Sequence, residues 1–276
     1  MKRRDFIQQS LAAAALSFTA NDLFAKGTLS KFGCQLYSIR DLMPIDAKGN
    51  MKALADMGYK YFESYSADPL WGMAAKEAKS FFGDIGVKMV SAHVGLPDTT
   101  EELVAKCAEA GLQYFICPGI GPQKNKEAWL EKAETFNKNG ELCKKHGLMY
   151  GYHNHSYSFT INNGALGQKI LLENTDPKLV CFELDMCWSE AAGADTSAHL
   201  LENKGRYKLV HIKQLESKEG KPKQTDLDKG VIDYKTILRT AKNTGVDCFL
   251  VEQEEYPTNS LASMKSNAEY LQGLKF

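Results

Sequence analysis

The chain carries no net charge, since 34 lysines and arginines balance 34 aspartates and glutamates. Such a chain has no global field for gripping a phosphate backbone, which argues against nucleic acid as its partner. Its seven cysteines (Cys34, Cys107, Cys117, Cys143, Cys181, Cys187 and Cys248) include no CxxC pair, so neither a zinc ribbon nor a disulfide framework is indicated. Four of them, Cys34, Cys117, Cys181 and Cys248, lie inside apolar runs, where a thiol behaves as a small hydrophobe. Past residue 26 no apolar run is long enough to span a bilayer. The GxGxxG spacing of a dinucleotide site is also missing from "GCQLYSIRDLMP", which covers the first strand-like run and the turn after it. No linker, internal repeat or low-complexity tract divides the chain.

The first 26 residues stand apart from the rest. "MKRRDFIQQS" is basic and polar, "LAAAALSFTA" is a short apolar run, and "NDLFAKG" comes next. That is the layout of an export signal, and Arg3 and Arg4 before Asp5, Phe6 and Ile7 resemble the twin-arginine (Tat) pattern. The expectation is a Tat-like export signal over residues 1–26, a folded domain over 27–276 and a periplasmic location.

Beyond residue 30, short runs rich in aromatic and β-branched residues alternate with longer helical stretches. The runs are "KFGCQLYS", "YKYFESYS", "VKMVSAHV", "QYFICPG", "LMYGYHNH", "LVCFELD", "KLVHIKQL" and "DCFLVEQE". Stretches such as "TEELVAKCAEAG" repeat their apolar positions at three and four and close on glycine, as helices do. Strands alternating with helices pair in parallel, and eight such units predict an α/β fold, a single (β/α)8 TIM barrel.

Active sites of such barrels lie at the C-terminal ends of the strands. Those ends offer Gln35 and Tyr37, Glu63, His93, His153 and His155, Glu183 and Asp185, His211 and Lys213, and Glu252 and Glu254. The fourth run ends in "CPGIG" and offers backbone alone. Charges at the ends of apolar strands are costly to bury unless paired or bound to a metal. Nitrogen and oxygen donors without thiolate suit a divalent metal ion, Mn2+ first, with Zn2+, Co2+ and Fe2+ as alternatives. The metal ligands expected are His153, Asp185, His211 and Glu252. Whether His153 or His155 is the fifth-strand ligand stays open at this point.

The motifs "GCQLYSIRD", "GYHNHSYSF", "FELDMCWSEAAGAD", "GRYKLVHIKQL", "GVIDYKTIL" and "FLVEQEEYP" resemble the xylose-isomerase-like TIM-barrel superfamily, the sugar isomerase/epimerase group that also includes AP endonuclease family 2. The resemblance implies a metal between a glutamate, an aspartate, a histidine and a glutamate on strands five to eight. Asp185, His211 and Glu252 match the last three, and His153 stands where the first glutamate is expected. The paired glutamates of family epimerases are therefore incomplete here. Trp188 replaces a histidine found in several sugar epimerases and suits stacking on a sugar ring.

The shared chemistry of the group is removal of a proton beside a carbonyl, with a metal-stabilised ene-diolate. The candidate catalytic residues are His155, Glu252 and Lys213. Tyr37, Glu63, His93, Trp188 and Glu254 are the candidate substrate contacts. The expected activity is that of a sugar isomerase/epimerase on a keto- or aldo-sugar, such as a 3-keto-sugar or its glycoside. Elimination from a 3-keto-glycoside and metal-containing carbohydrate binding without catalysis are the alternatives. A small-molecule carbohydrate is the expected partner, and a homo-oligomer is compatible with the sequence. No glycine-rich turn cradles a phosphate, and Lys218, Lys221 and Lys223 read as a solvated loop.

Overall fold

The computed structural model describes residues 28–29 and 31–276. The export-signal expectation for residues 1–26 lies outside them. The eight barrel strands are β1 (Gly33–Gln35), β2 (Tyr61–Tyr65), β3 (Lys88–His93), β4 (Tyr114–Cys117), β5 (Met149–His153), β6 (Val180–Asp185), β7 (Tyr207–Ile212) and β8 (Cys248–Val251). All pair in parallel, and β1 meets both β2 and β8, which closes the sheet into a (β/α)8 barrel. The expected fold is the observed one. Among the described residues, no helix is long and apolar enough to cross a membrane.

Local sequence explains the helical layer. The helix Glu101–Ala110 starts where Thr100 Oγ1 accepts the Leu103 N–H, and it stops at Gly111, whose φ of 94° is open to glycine at little cost. Asp46, Asn125, Asp195, Asp233 and Asn259 cap five other helices in the same way. All seven cysteines are buried and unpaired, as their apolar settings suggest.

The barrel interior changes character from bottom to top. Val90, Ile116, Cys181, Leu209, Cys248 and Leu250 form an apolar plug between the strands. Two residues further along β6, β7 and β8 stand Glu183, His211 and Glu252, because side chains alternate across a strand with period two, and His153 ends the neighbouring β5. Register then pairs Gln35 with Glu63, His153 with Glu183, and Asp185 with His211. The apolar plug thus closes the bottom and supports a polar layer above it.

Several strands are shorter than the apolar runs suggest. β1 ends at Gln35, and Tyr37 belongs to a 3-10 turn, Leu36–Ile39. His155, Lys213 and Glu254 also lie past the strand ends, so loop geometry rather than pleating aims them. Gly33 tolerates no side chain, because a Cβ there would stand 2.3 Å from the Tyr61 carbonyl oxygen. Gly33→Ala should therefore cost about 1–3 kcal/mol, as overpacking does. Chemical denaturation checks this, and an unchanged midpoint would contradict the close approach of β1 to β2.

Candidate metal centre

The polar layer is a dense network of buried ionisable groups. Gln35, Glu63, Glu183, Asp185 and His211 are fully buried, and His153, Lys213, Glu252 and His93 nearly so. His211 Nδ1 lies 3.0 Å from Glu252 Oε2, while its Nε2 lies 2.7 Å from Glu63 Oε1. His153 Nδ1 is 3.0 Å from Glu183 Oε2, and its Nε2 is 3.7 Å from Asp185 Oδ2. His93 Nε2 bridges Glu183 Oε2 at 2.6 Å and Glu63 Oε1 at 3.1 Å. The Lys213 ammonium is 2.9 Å from Asp185 Oδ2 and 2.6 Å from Glu254 Oε1, and it also contacts Glu252.

Backbone clamps set these side chains. Asn154, between the two histidines of "HNH", accepts the Asp185 N–H at 2.9 Å and donates to the Asp185 carbonyl at 3.2 Å. It ties the end of β5 to the end of β6. Asp185 also caps the short helix Met186–Ala191 by accepting the Trp188 N–H with Oδ1, which leaves Oδ2 facing the centre. Tyr234 reaches in from a helix, accepts the Lys213 N–H and donates to the Lys213 carbonyl.

The four residues expected to hold a metal come together. Ligand atoms of His153, Asp185, His211 and Glu252 all lie within 4.8 Å of one another, and all four residues are buried. A deeper set of His93, His153, Glu183 and His211 meets the same geometric condition and shares two histidines with the first. The electrostatics fit a cation. Five carboxylates (Glu63, Glu183, Asp185, Glu252 and Glu254) face at most three cations, Lys213, His93 and His211. Glu63 Oε2 and Glu183 Oε1 are buried with no hydrogen-bond partner among the described residues. Burial pushes the Asp185 carboxyl up even though Lys213 and His211 oppose it. Burial also holds His153 well below its ordinary value, so its imidazole is neutral and keeps a lone pair for a ligand role.

A cavity of about 370 Å³ opens above the centre. Its lining includes the polar residues His93, His153, His155, Lys213, Glu252 and Glu254 and the less polar Tyr37, Tyr65, Ala67 and Pro118. Tyr37 remains 39% exposed at the rim, edge-on to Tyr65. His155 is stacked between Tyr157 at 5.6 Å and Trp188 at 6.3 Å, and its Nδ1 has no partner among the described residues. Burial and then the Lys213 cation lower its pKa. Glu252, the other candidate base, is held well below the usual carboxylate range by Lys213 and His211, against the upward push of burial. That makes it a weak base and a good anionic ligand.

The remaining sequence candidates sit at different depths. Glu63, expected to touch substrate, is fully buried beneath the histidines and does not line the cavity. Trp188 stands behind His155, with the Lys213 ammonium 5.6 Å from its ring. Sequence reasoning assigned no role to Gln35, Asn154 or Glu183. The signal for Glu183 was present, since it precedes Asp185 by two residues on one strand.

Burial alone would lower the His93 pKa, but Glu63 and Glu183 override it and raise it to about 10. A raised imidazolium contributes stability that is complete below the ordinary value of 6.5 and is lost as pH rises toward about 10. Chelator-treated protein should lose denaturant resistance across that window. His93→Gln should flatten the slope, which His211 shares in direction. An identical slope in the variant would contradict the His93 assignment.

Comparison with known proteins extends this picture. The family model described as xylose isomerase-like TIM barrel matches residues 51–276. An inosose dehydratase of Clostridium perfringens is 27% identical over 48% of this chain and 50% of its own length. The chain thus spans about half the length of the curated relatives it matches. A sugar phosphate isomerase/epimerase from Parabacteroides distasonis superposes with a TM-score of 0.76 at 26% identity, covering 90% of this chain and 95% of that one. The IolI protein, solved with a bound zinc atom, shares the fold at 14% identity and a TM-score of 0.71, covering 88% and 98%.

Proposed function

Because the chain belongs to the xylose isomerase-like TIM barrel family, we propose that it is a metal-dependent enzyme that removes a proton beside the carbonyl of a sugar. The observation that carries this is the convergence of His153, Asp185, His211 and Glu252, of which His153 and Glu252 line the cavity. These four residues would hold a divalent cation, manganese by donor type, with zinc, cobalt or iron also matching the set. When bound, it supplies Lewis-acid stabilisation of charge on a substrate oxygen.

The chain's own residues supply the rest. His155 is the base: it lines the cavity, its ring is clamped by stacking, and its lowered pKa keeps it neutral near pH 7. Lys213 brings an ammonium to the same wall, where it offsets negative charge growing on the substrate. Tyr37 and Tyr65 offer ring faces and edges to a sugar's apolar side. His93 and Glu254 also line the cavity and offer polar atoms to the sugar's hydroxyl groups. Among the described residues, Lys213 is the one lysine or arginine lining the cavity, and three carboxylates already surround it. The site therefore suits an uncharged keto- or aldo-sugar, or a 3-keto-glycoside, better than a phosphorylated one.

Return of the proton at the neighbouring carbon gives isomerisation. Loss of an oxygen substituent gives elimination, and two observations favour this second outcome. His153 replaces one of the paired glutamates expected for two-base epimerisation, and the curated relatives are named as dehydratases. The basic, then apolar, leader-like composition of residues 1–26 supports Tat export and a periplasmic location for this activity.

Incubation with aldoses, 2-ketoses and 3-keto-glucosides in D2O, with NMR readout, tests the proposal. Cation-dependent deuterium exchange beside the carbonyl is expected for one of them. His155→Ala should slow it by about 10²–10⁴-fold, the usual worth of a positioned base. Lys213→Met should lower turnover with metal content unchanged. Absence of exchange in cation-loaded protein would leave a carbohydrate-binding role instead.

A further inference from the structure

The proposed cation quartet takes one ring nitrogen from each of two histidines, and the structure shows what holds the other. We propose that Glu183 and Glu63 form a positioning layer beneath the quartet that fixes the tautomers of His153 and His211, which rests on the ligand set proposed above.

A neutral imidazole has one N–H and one lone pair, and a carboxylate accepts without donating. A cation held by the quartet would take the lone pair of the nitrogen that faces Asp185 or Glu252. The one proton left on each ring therefore belongs on the nitrogen that faces a deep carboxylate. His153 directs Nδ1 at Glu183 Oε2, 3.0 Å away, and turns Nε2 toward Asp185. His211 directs Nε2 at Glu63 Oε1, 2.7 Å away, and turns Nδ1 toward Glu252. Each imidazole thus has one carboxylate below it and one of the quartet's carboxylates above it.

The lower carboxylates are themselves immobilised. Gln35 Nε2 donates to Glu63 Oε1 at 2.9 Å, and His93 Nε2 sits between Glu63 and Glu183. Both glutamates are fully buried and neither lines the cavity, so they act through the histidines and not on substrate. Carboxylates bonded to the far nitrogen of a ligating histidine orient the ring and raise its basicity, and their loss costs about 10–100-fold in metal affinity. The same layer explains why the barrel keeps two glutamates where no solvent reaches them.

The deeper set of His93, His153, Glu183 and His211 is the competing placement for a cation. It would need the opposite lone pair of both shared histidines. Either placement gives one cation per chain, and the tautomers decide which set it occupies.

Long-range 1H–15N correlation spectra of Zn2+-loaded, 15N-histidine-labelled protein read the tautomers directly. His153 should carry its proton on Nδ1 and His211 on Nε2. Zn2+ affinity, measured by competition with a chromophoric chelator, should fall about 10–100-fold in Glu183→Gln with melting behaviour retained, and Glu183→Asp should recover part of it. Glu63→Gln should act in the same direction through His211. A proton on His153 Nε2, or unchanged zinc affinity in Glu183→Gln, would overturn the proposal. The wild-type spectrum needs no variant, so a folding failure in Glu183→Gln leaves the test intact. Zinc lost from Glu183→Gln but retained by Asp185→Asn would place the cation in the deeper set, which refutes the quartet as well. Correct tautomers with full zinc binding in Asp185→Asn would refute the quartet alone.

Discussion

Unbalanced buried negative charge is the constraint on which the mouth of this barrel depends. Glu63, Glu183 and Asp185 are fully buried and Glu252 nearly so, with Glu254 closing the same network at the rim. Removing carboxylates from water is expensive unless cations or N–H groups replace the lost hydration. One lysine and three imidazoles answer part of that demand, and Glu63 Oε2 and Glu183 Oε1 find no hydrogen bond among the described residues. Removal of one partner from such a network typically costs about 3–5 kcal/mol, so its members hold each other in place. A divalent cation at the quartet would complete the balance and carry the proposed chemistry at once.

The barrel supplies the geometry that this charge requires. Parallel register sets His153 beside Glu183 and Asp185 beside His211, while the apolar plug below blocks water from the other end. Loop residues then finish the site. His155, Lys213 and Glu254 lie past their strands, where Tyr157 stacked on His155, Tyr234 bonded to the Lys213 backbone and Gln224 accepting the Glu254 N–H can aim them independently of the pleat. The division is economical: strand residues form a rigid acceptor set, and loop residues reach the substrate.

Much of this is legible in the sequence, for physical reasons that differ by residue. The eight apolar runs separated by helical stretches announce a parallel sheet, and the missing GxGxxG spacing after the first run favours the closed barrel over an open doubly wound sheet. Asp185, His211 and Glu252 stand out because each ends such a run with a side chain too costly to bury alone. Depth is what the alternation of side chains cannot convey. Period two states which face a residue takes, not whether it opens to a cavity or lies under a histidine, so Glu63 reads as a substrate contact although it is enclosed. Asn154 is illegible for another reason, because its work is to bond the backbone of a strand 31 residues away. Tyr37 reads as strand because nothing local marks the turn that begins at Leu36.

Anomalous scattering from crystals soaked in Mn2+ tests the central claim most directly. A single peak is expected about 2.0–2.3 Å from His153 Nε2, Asp185 Oδ2, His211 Nδ1 and Glu252 Oε2, as nitrogen and oxygen ligands of such ions require. A peak elsewhere, or none under saturating manganese, would contradict the account.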